Sequence, residues 1–545
     1  MSNNSLNALA NNAEELLQTY DNGSTPASND QLGSIADIAG FGADIPTQTL
    51  VDGSDIGLGT SFDGWSINDT NWQGFRRMRN VGTQAGSEAQ CNTFIIPRAD
   101  TLTIYALRNS TTIYKNTTSQ GSINAGASTS VSVSAGDIIQ ASRPINMRTS
   151  RNDIGAAYMG WSGFAFAHGR DRNTGATLTI CAMNSNTSYQ VLYTTSTGAV
   201  TSLTSQTSGT IASGYGRATT SLTSTRYYYI IADKPVACYV HLTAGSGMND
   251  TLPLYPMDQD AKYGAFSGGG HMFLTNNASQ NRAGSNVTQQ LFSRSSNGGS
   301  TTERNTSTAS PSVYTDVSPG QTSGNFFVGP VQKTQSANGC IHTSEQQADG
   351  NGSEMTPFVS QKAFGQATII PSTADFLTCI SVSGVTVYHR NSSGNLLNIQ
   401  TMTGNATYNV YFTRFTNISA GDVFETNSSE GMIVYHDADS SLDDERVNIM
   451  SDVLMELSTT SQTLATTAFG AGAEACAAGP SEPTTTGYFI SSFANGAQLF
   501  TDSTCRTTWD SVYGEGFFYN SSTNQSFFYE AWAPGRGGVS DILTC

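Results

Sequence analysis

Four stretches of the chain repeat one pattern, an apolar strand end with an aromatic followed by a short polar turn that closes on glycine. They occupy 113–121, 192–198, 291–298 and 387–394, with Tyr114, Tyr193, Phe292 and Tyr388 as the aromatics. Each predicts a β-hairpin, because Ser, Asn and Gly tolerate the positive φ that tight turns need. A second pattern follows every hairpin: Ala135-Gly136-Asp137-Ile138, Asp233-Lys234-Pro235-Val236, Ala337-Asn338-Gly339-Cys340 and Ala420-Gly421-Asp422-Val423. Gly or Pro beside a polar residue marks a sharp corner, since few other residues suit its backbone angles. The strands between alternate apolar and polar residues, as in Tyr239-Val240-His241-Leu242. That period of two gives one packed and one solvated face.

The copies recur about every 80–105 residues, a spacing that suits one small β-sandwich each. Sandwiches are therefore expected at 91–165, 166–265, 266–362 and 363–436. The polar stretch 295–312 reads as a long exposed loop of the third. Residues 1–90 form an N-terminal anchoring or docking region, with one helix over 5–20 where Leu6, Leu9, Ala13, Leu16 and Leu17 fall at helical spacing. Segment 437–483 reads as a helix and linker. Ser440-Ser441-Leu442-Asp443-Asp444-Glu445 supplies a serine cap and first-turn acids for a helix running to about 457. The Thr/Ala/Gly-rich residues 459–478 read as the linker, and 484–545 as a small β C-terminal module. The fold class is all-β: tandem β-sandwich modules in an elongated chain, with a short N-terminal helix and one helix before the last module.

Composition narrows the function classes. Only 12% of the 545 residues are charged, against about 25% in ordinary domains. Ser, Thr and Asn must therefore solvate the outer faces. Lys and Arg total 25 against 42 acids, a net charge of −17, which excludes nucleic-acid binding by bulk electrostatics. The sequence has no apolar run of 18 residues, so no membrane insertion is expected, and no basic, apolar N-terminal signal. The eight cysteines lack metal-ligand spacing, so no metal or other cofactor is expected. Without a secretory signal they read as free thiols, and Cys476, Cys505 and Cys545 are the three among which a bridge is worth testing.

Catalytic motifs are missing: no zinc-protease helix, nucleotide loop, nucleophile elbow or dinucleotide fingerprint occurs. Gly268-Gly269-Gly270-His271 reads as a hinge between modules, and Asp437-Ala438-Asp439 as part of a helix cap. His241, His342 and His436 fall near matching ends of three repeats, each expected at its own strand end. Two binding surfaces stand out. Trp65, Trp72, Arg76, Arg77 and Arg79 form an aromatic and basic cluster suited to docking on an acidic neighbour through guanidinium forks. In the last module, Tyr513 and Trp532 are candidates for stacking on sugar faces, whereas Phe517 and Tyr519 read as core.

The last module also carries a resemblance. Its Leu499-Phe500-Thr501-Asp502 strand end, the run Gly514-Glu515-Gly516-Phe517-Phe518-Tyr519 and the ending Val539-Ser540-Asp541-Ile542-Leu543-Thr544-Cys545 resemble small C-terminal modules of tailed-phage virion and fibre proteins. Phages of marine bacteria, cyanobacteria included, are the most similar. The resemblance covers the last 60–75 residues or so. It implies a non-enzymatic structural protein of a virion surface (fibre, whisker or decoration), made in the host cytoplasm. Its implied partners are other virion structural proteins, further copies of itself and host-surface glycan. A glycan-cleaving tail spike and a bacterial surface adhesin are the alternatives.

Overall fold

The computed structural model describes residues 93–545 apart from segments of which the longest are 149–162, 169–175, 196–203, 242–250, 277–286, 318–330, 348–354 and 438–444. Strands dominate, in separate antiparallel sheets. The first module contains β1 (Thr93–Ile95), β2 (Asp100–Ala106), β3 (Thr111–Lys115), β4 (Thr118–Ile123), β5 (Ser128–Val133), β6 (Ile138–Ala141) and β7 (Ile145–Arg148). They form two sheets, β1-β6-β3-β4 and β5-β2-β7.

The fourth module repeats this order strand for strand. Ala367–Ile369, Val423–Glu425, Thr386–Arg390 and Leu396–Thr401 take the places of β1, β6, β3 and β4. Val410–Ile418, Ala374–Ser381 and Ile433–Asp437 take those of β5, β2 and β7. The third module has the same two orders and begins with Lys262–Ala265, ahead of the expected boundary at 266, because that strand pairs with Val331–Ser336. In the second, a single strand, Tyr227–His241, does the work of both β6 and β7. Residues 227–232 pair with Thr187–Thr194, and 236–241 pair with Thr177–Ala182. The strand changes sheets at Asp233-Lys234-Pro235, the corner that proline marked in the sequence.

In the second, third and fourth modules an eighth strand pairs beside the β7 position: Thr251–Pro253, Met355–Pro357 and Glu445–Val447. Sheets ordered 1-6-3-4 and 5-2-7-8 have the strand order of a jelly roll, with one outer strand supplied from the end of the module.

All four expected hairpins form. Each carries a bulge, at Ile113/Tyr114, Val191/Leu192, Leu291/Phe292 and His389/Arg390. Bulges add local twist and bend the edge strand. Hydroxyls pair across three of these hairpins, Thr112 with Ser122 at 2.8 Å, Ser188 with Thr210 at 3.4 Å and Thr386 with Thr401 at 3.2 Å. Short hydroxyl side chains thus supply the cross-strand contacts that charged pairs often make. The corner Ser134-Ala135-Gly136-Asp137 recurs as Ser419-Ala420-Gly421-Asp422, with the Asp carboxylate accepting from the Ser amide at 2.7 and 2.9 Å. Gly136 and Gly421 take φ of +92° and +91°, which explains glycine there.

Three expectations need correction. The described part of the expected 440–457 helix is not helical: Glu445–Val447 is a strand, and Val447, Ile449 and Met450 are buried in the sandwich core. The capping signal is local, and burial of this segment on a sheet outweighs it. The supposed linker holds strand Thr459–Ala465 and helix α1 (Gly472–Ala478). Its many threonines favour extended backbone, and Leu464 and Ala465 are buried. The polar stretch in the third module contains strand Thr301–Ala309, paired with Val287–Arg294 as an edge strand, where polar residues are suitable.

The modules are tandem in sequence, but the chain is not extended in space, because its first module packs on its fourth. Asn146 Nδ2 on β7 donates to Ile369 O at 2.8 Å, and Glu456 N donates to Leu107 O at 2.9 Å. Arg217 Nη1 donates to Pro97 O at 3.0 Å, joining modules two and one. Thr251–Pro253 packs on Met355–Pro357, joining two and three. Tyr435 Oη lies 2.9 Å from Tyr263 O and 3.0 Å from Pro357 O, its one proton shared between the two carbonyls, joining four and three. Each sandwich touches the next and the last touches the first, so the four close into a ring. One apolar cluster contains residues from all four modules, and burial of that shared surface favours closure over extension.

Glu456 clamps the closing contact. Its carboxylate accepts from Asn109 N at 3.0 Å and pairs with Arg108 at 3.5 Å and Arg143 at 3.4 Å. Burial alone would raise its pKa, but the Asn109 hydrogen bonds and the two guanidiniums outweigh it and hold the acid below its ordinary 4.5. The clamp therefore contributes stability above about pH 4.5 and loses it as pH falls through the lowered value. The carboxyl is about a third exposed, so screening limits the contribution to about 1 kcal/mol or less. Acid titration of the unfolding midpoint should show a smaller loss in Glu456→Gln than in the parent.

Candidate functional site

The last module is a closed β-barrel. Its strands run Leu499–Phe500, Thr484–Ile490, Thr459–Ala465, Gly516–Asn520, Gln525–Ala533 and Arg536–Thr544 in spatial order. A bridge between Gln498 and Gly538, and Val539 N donating to Ala497 O at 2.9 Å, join the last strand to the first. Leu464, Phe489, Leu499, Trp509, Phe518, Phe527, Tyr529 and Val539 pack together as its core.

Barrel and ring meet at a sealed ionic joint. Arg390 ends the third strand of module four, and Glu425 ends the sixth, which pairs beside it. Both side chains are fully buried. Arg390 Nε donates to Glu425 Oε1 at 2.7 Å, and Arg506 Nη2 from the barrel donates to the same oxygen at 2.9 Å. The remaining Arg390 nitrogens donate to Cys505 O at 2.7 Å and Gly394 O at 3.1 Å. Gln498 bonds both the amide and the carbonyl of Leu396, at 2.7 and 2.6 Å, in place of a strand neighbour. Leu396, Ile490, Phe500 and Cys505 form the apolar part of the joint. Desolvation strengthens the charge pairing while making any missing partner costly. The arrangement holds the barrel in one orientation.

The first module shows what specifies the seat. At the Arg390 and Glu425 positions it has Asn116 and Gln140, neither of which is charged, while its Lys115 pairs with Asp137 at 3.0 Å as His389 pairs with Asp422 at 2.9 Å in module four. The seat was not legible in sequence, because Arg390 and Arg506 meet only after two modules have folded.

A second polar group looks catalytic by composition but not by geometry. Ser372 Oγ lies 3.0 Å from His436 Nε2, and Asn448 Nδ2 lies 2.8 Å from His436 Nδ1. Asn448 Nδ2 also donates to Val434 O at 3.1 Å, so it faces the ring as a donor. The neutral imidazole then carries its proton on Nε2 and donates to Ser372. A general base needs the opposite tautomer. All three side chains are buried. Burial, followed by the nearby Arg446 charge, pushes His436 well below its ordinary 6.5 and keeps it neutral. The trio ties strands together. His241, His342 and His436 do lie on equivalent strands, but their registers place them opposite Thr177, Thr275 and Leu377, so they do not align as a ladder.

The sequence-predicted contact residues divide as follows. Tyr513 is half-buried, with its ring centroid 4.4 Å from that of Trp509, so it is partly committed to the barrel. Trp532 lies in strand Gln525–Ala533, and its side chain is outside the description. Tyr519 is buried, and Phe517 sits half-buried on the outer wall beside Phe528, centroids 5.0 Å apart. Trp65, Trp72, Arg76, Arg77 and Arg79 and the 5–20 helix lie outside the described residues. Among the described residues, the large apolar side chains left exposed are Val512, at 53%, and Leu543, at 48%, both in the barrel.

No family model and no curated protein matches the chain.

Cysteine chemistry also departs from expectation. Cys476 and Cys545 are joined by a disulfide, while Cys181, Cys238, Cys379 and Cys505 are buried free thiols. Burial pushes the Cys181 and Cys505 thiols up to about 12, and it also raises Cys238 and Cys379. Thiolate is the reactive form, so these four should resist alkylation in the native protein. Mass spectrometry after brief iodoacetamide treatment should find them unmodified.

Proposed function

We propose that the chain is a non-enzymatic structural protein on the surface of a tailed-phage virion, in which the ring is a rigid body and the barrel a fixed contact module. The observation that carries this reading is the ionic joint. It fixes the module that bears the exposed apolar residues in one orientation on the ring. Repeated sandwiches supply size and surface, and jelly-roll domains serve in viral shells and in sugar-binding proteins alike. The fold alone does not choose among such roles. The resemblance of the last 60–75 residues or so to phage virion modules favours the virion. Residues 1–90 would anchor the chain to other virion proteins. The barrel would face host glycan, and further copies would complete a symmetric attachment.

The disulfide fits this placement, because such bonds persist on virion and cell surfaces and are rare in the cytosol. It fits a bacterial surface adhesin equally well, which makes that the second reading. Two assays separate the readings. Density-banded particles should contain peptides of this chain, whereas an adhesin would be found in the cell envelope fraction alone. Purified protein should release no reducing ends from host envelope polysaccharide; release would make it a glycan-cleaving spike.

A further inference from the structure

The bond between Cys476 and Cys545 joins two pieces of the barrel that are 69 residues apart in sequence. Cys476 lies on helix α1, which packs over Gly516–Asn520 and Gln525–Ala533. Cys545 follows Arg536–Thr544, the strand that closes the barrel against Ala497 and Gln498. Cys545 is exposed and Cys476 half-buried, unlike the four buried thiols. An aqueous thiol or disulfide reagent can therefore reach this pair and not the others.

We propose that this bond is a late lock: the barrel folds with both thiols reduced, and oxidation then staples its closing strand to α1 without affecting the ring. The chemistry needs a small-molecule disulfide such as oxidised glutathione. The Cys545 thiolate attacks it, forming a mixed disulfide and releasing one small thiol. The Cys476 thiolate then attacks the Cys545 sulfur and releases the second. Each protein thiol gives up its proton to solvent, and the two electrons reside on the released thiols. Closing a loop of this length mainly restricts the open chain. Reduction should therefore raise the open population of the barrel by roughly 1,000-fold.

The timing of the lock, after the chain leaves a reducing cytoplasm, rests on the virion reading, but its existence does not. The test uses the full chain with and without dithiothreitol, followed by hydrogen exchange and native alkylation. Reduction should speed exchange in Arg536–Thr544, leave Ala374–Ser381 unchanged, and expose Cys476 and Cys545 alone among the described cysteines to iodoacetamide. A double Cys476→Ser, Cys545→Ser variant should fold, match the reduced parent, and ignore the reductant. Unchanged exchange in Arg536–Thr544, or loss of protection in ring and barrel together, would overturn the lock. Failure to find the chain in particles would overturn only the virion reading.

Discussion

Glu425→Ala should loosen the barrel from the ring by about 3–5 kcal/mol, the usual cost of leaving a buried charge without its partner. Two guanidiniums, Arg390 and Arg506, converge on one Glu425 oxygen, and Met455 N donates to the other at 3.4 Å. Alanine removes all three contacts and leaves Arg390 fully buried with only carbonyl partners. Glu425→Gln keeps an acceptor oxygen and should cost less. Hydrogen exchange across 499–508 should rise in the alanine variant while 433–437 stays protected. Equal loss in both regions would show that Glu425 supports the whole fourth sandwich rather than the joint.

Gly126→Ala should open the ring where the first module meets the fourth, at a cost of roughly 2–4 kcal/mol. Gly126 has φ of +76°, and a Cβ there would lie 1.7 Å from the Ser392 carbonyl oxygen. Backbone cannot swing aside as a side chain can, so the modules must separate or both turns must deform. Gly121→Ala is the matched control. Its φ of +108° is strained as well, but nothing lies within 4 Å of the added carbon. Both variants should show the backbone cost. Only Gly126→Ala should weaken the contacts made by Asn146 and Glu456, read as faster exchange in 145–148. Identical behaviour would mean that turn strain, not the inter-module contact, sets the effect.

The residues that made the fold readable act locally. Hairpins appear in the sequence because Asn116, with φ of +47°, and Gly394, with φ of +87°, are turn residues beside alternating strands. The corner at Asp233-Lys234-Pro235 was legible for the same reason, even though one strand continues through it. Ring closure was not, since it depends on pairs such as Asn109 with Glu456, 347 residues apart. No periodicity reports such a contact. Thr459–Ala465 was read as linker because its residues are mostly polar on a strand with one wet face. For the bridge, sequence favours free thiols and offers Cys476, Cys505 and Cys545 only as the set worth testing. Only the fold shows Cys505 buried inside the joint and Cys476 beside Cys545.

The proposed structural role rests on sealed histidine and arginine groups, a closed ring and a barrel joined to it by buried charges. Electron microscopy of intact particles labelled with an antibody to barrel residues 459–545 tests that reading most directly. Gold at a fixed outer position on the particles is the expected result. Label confined to host cells, with clean particles, would contradict it.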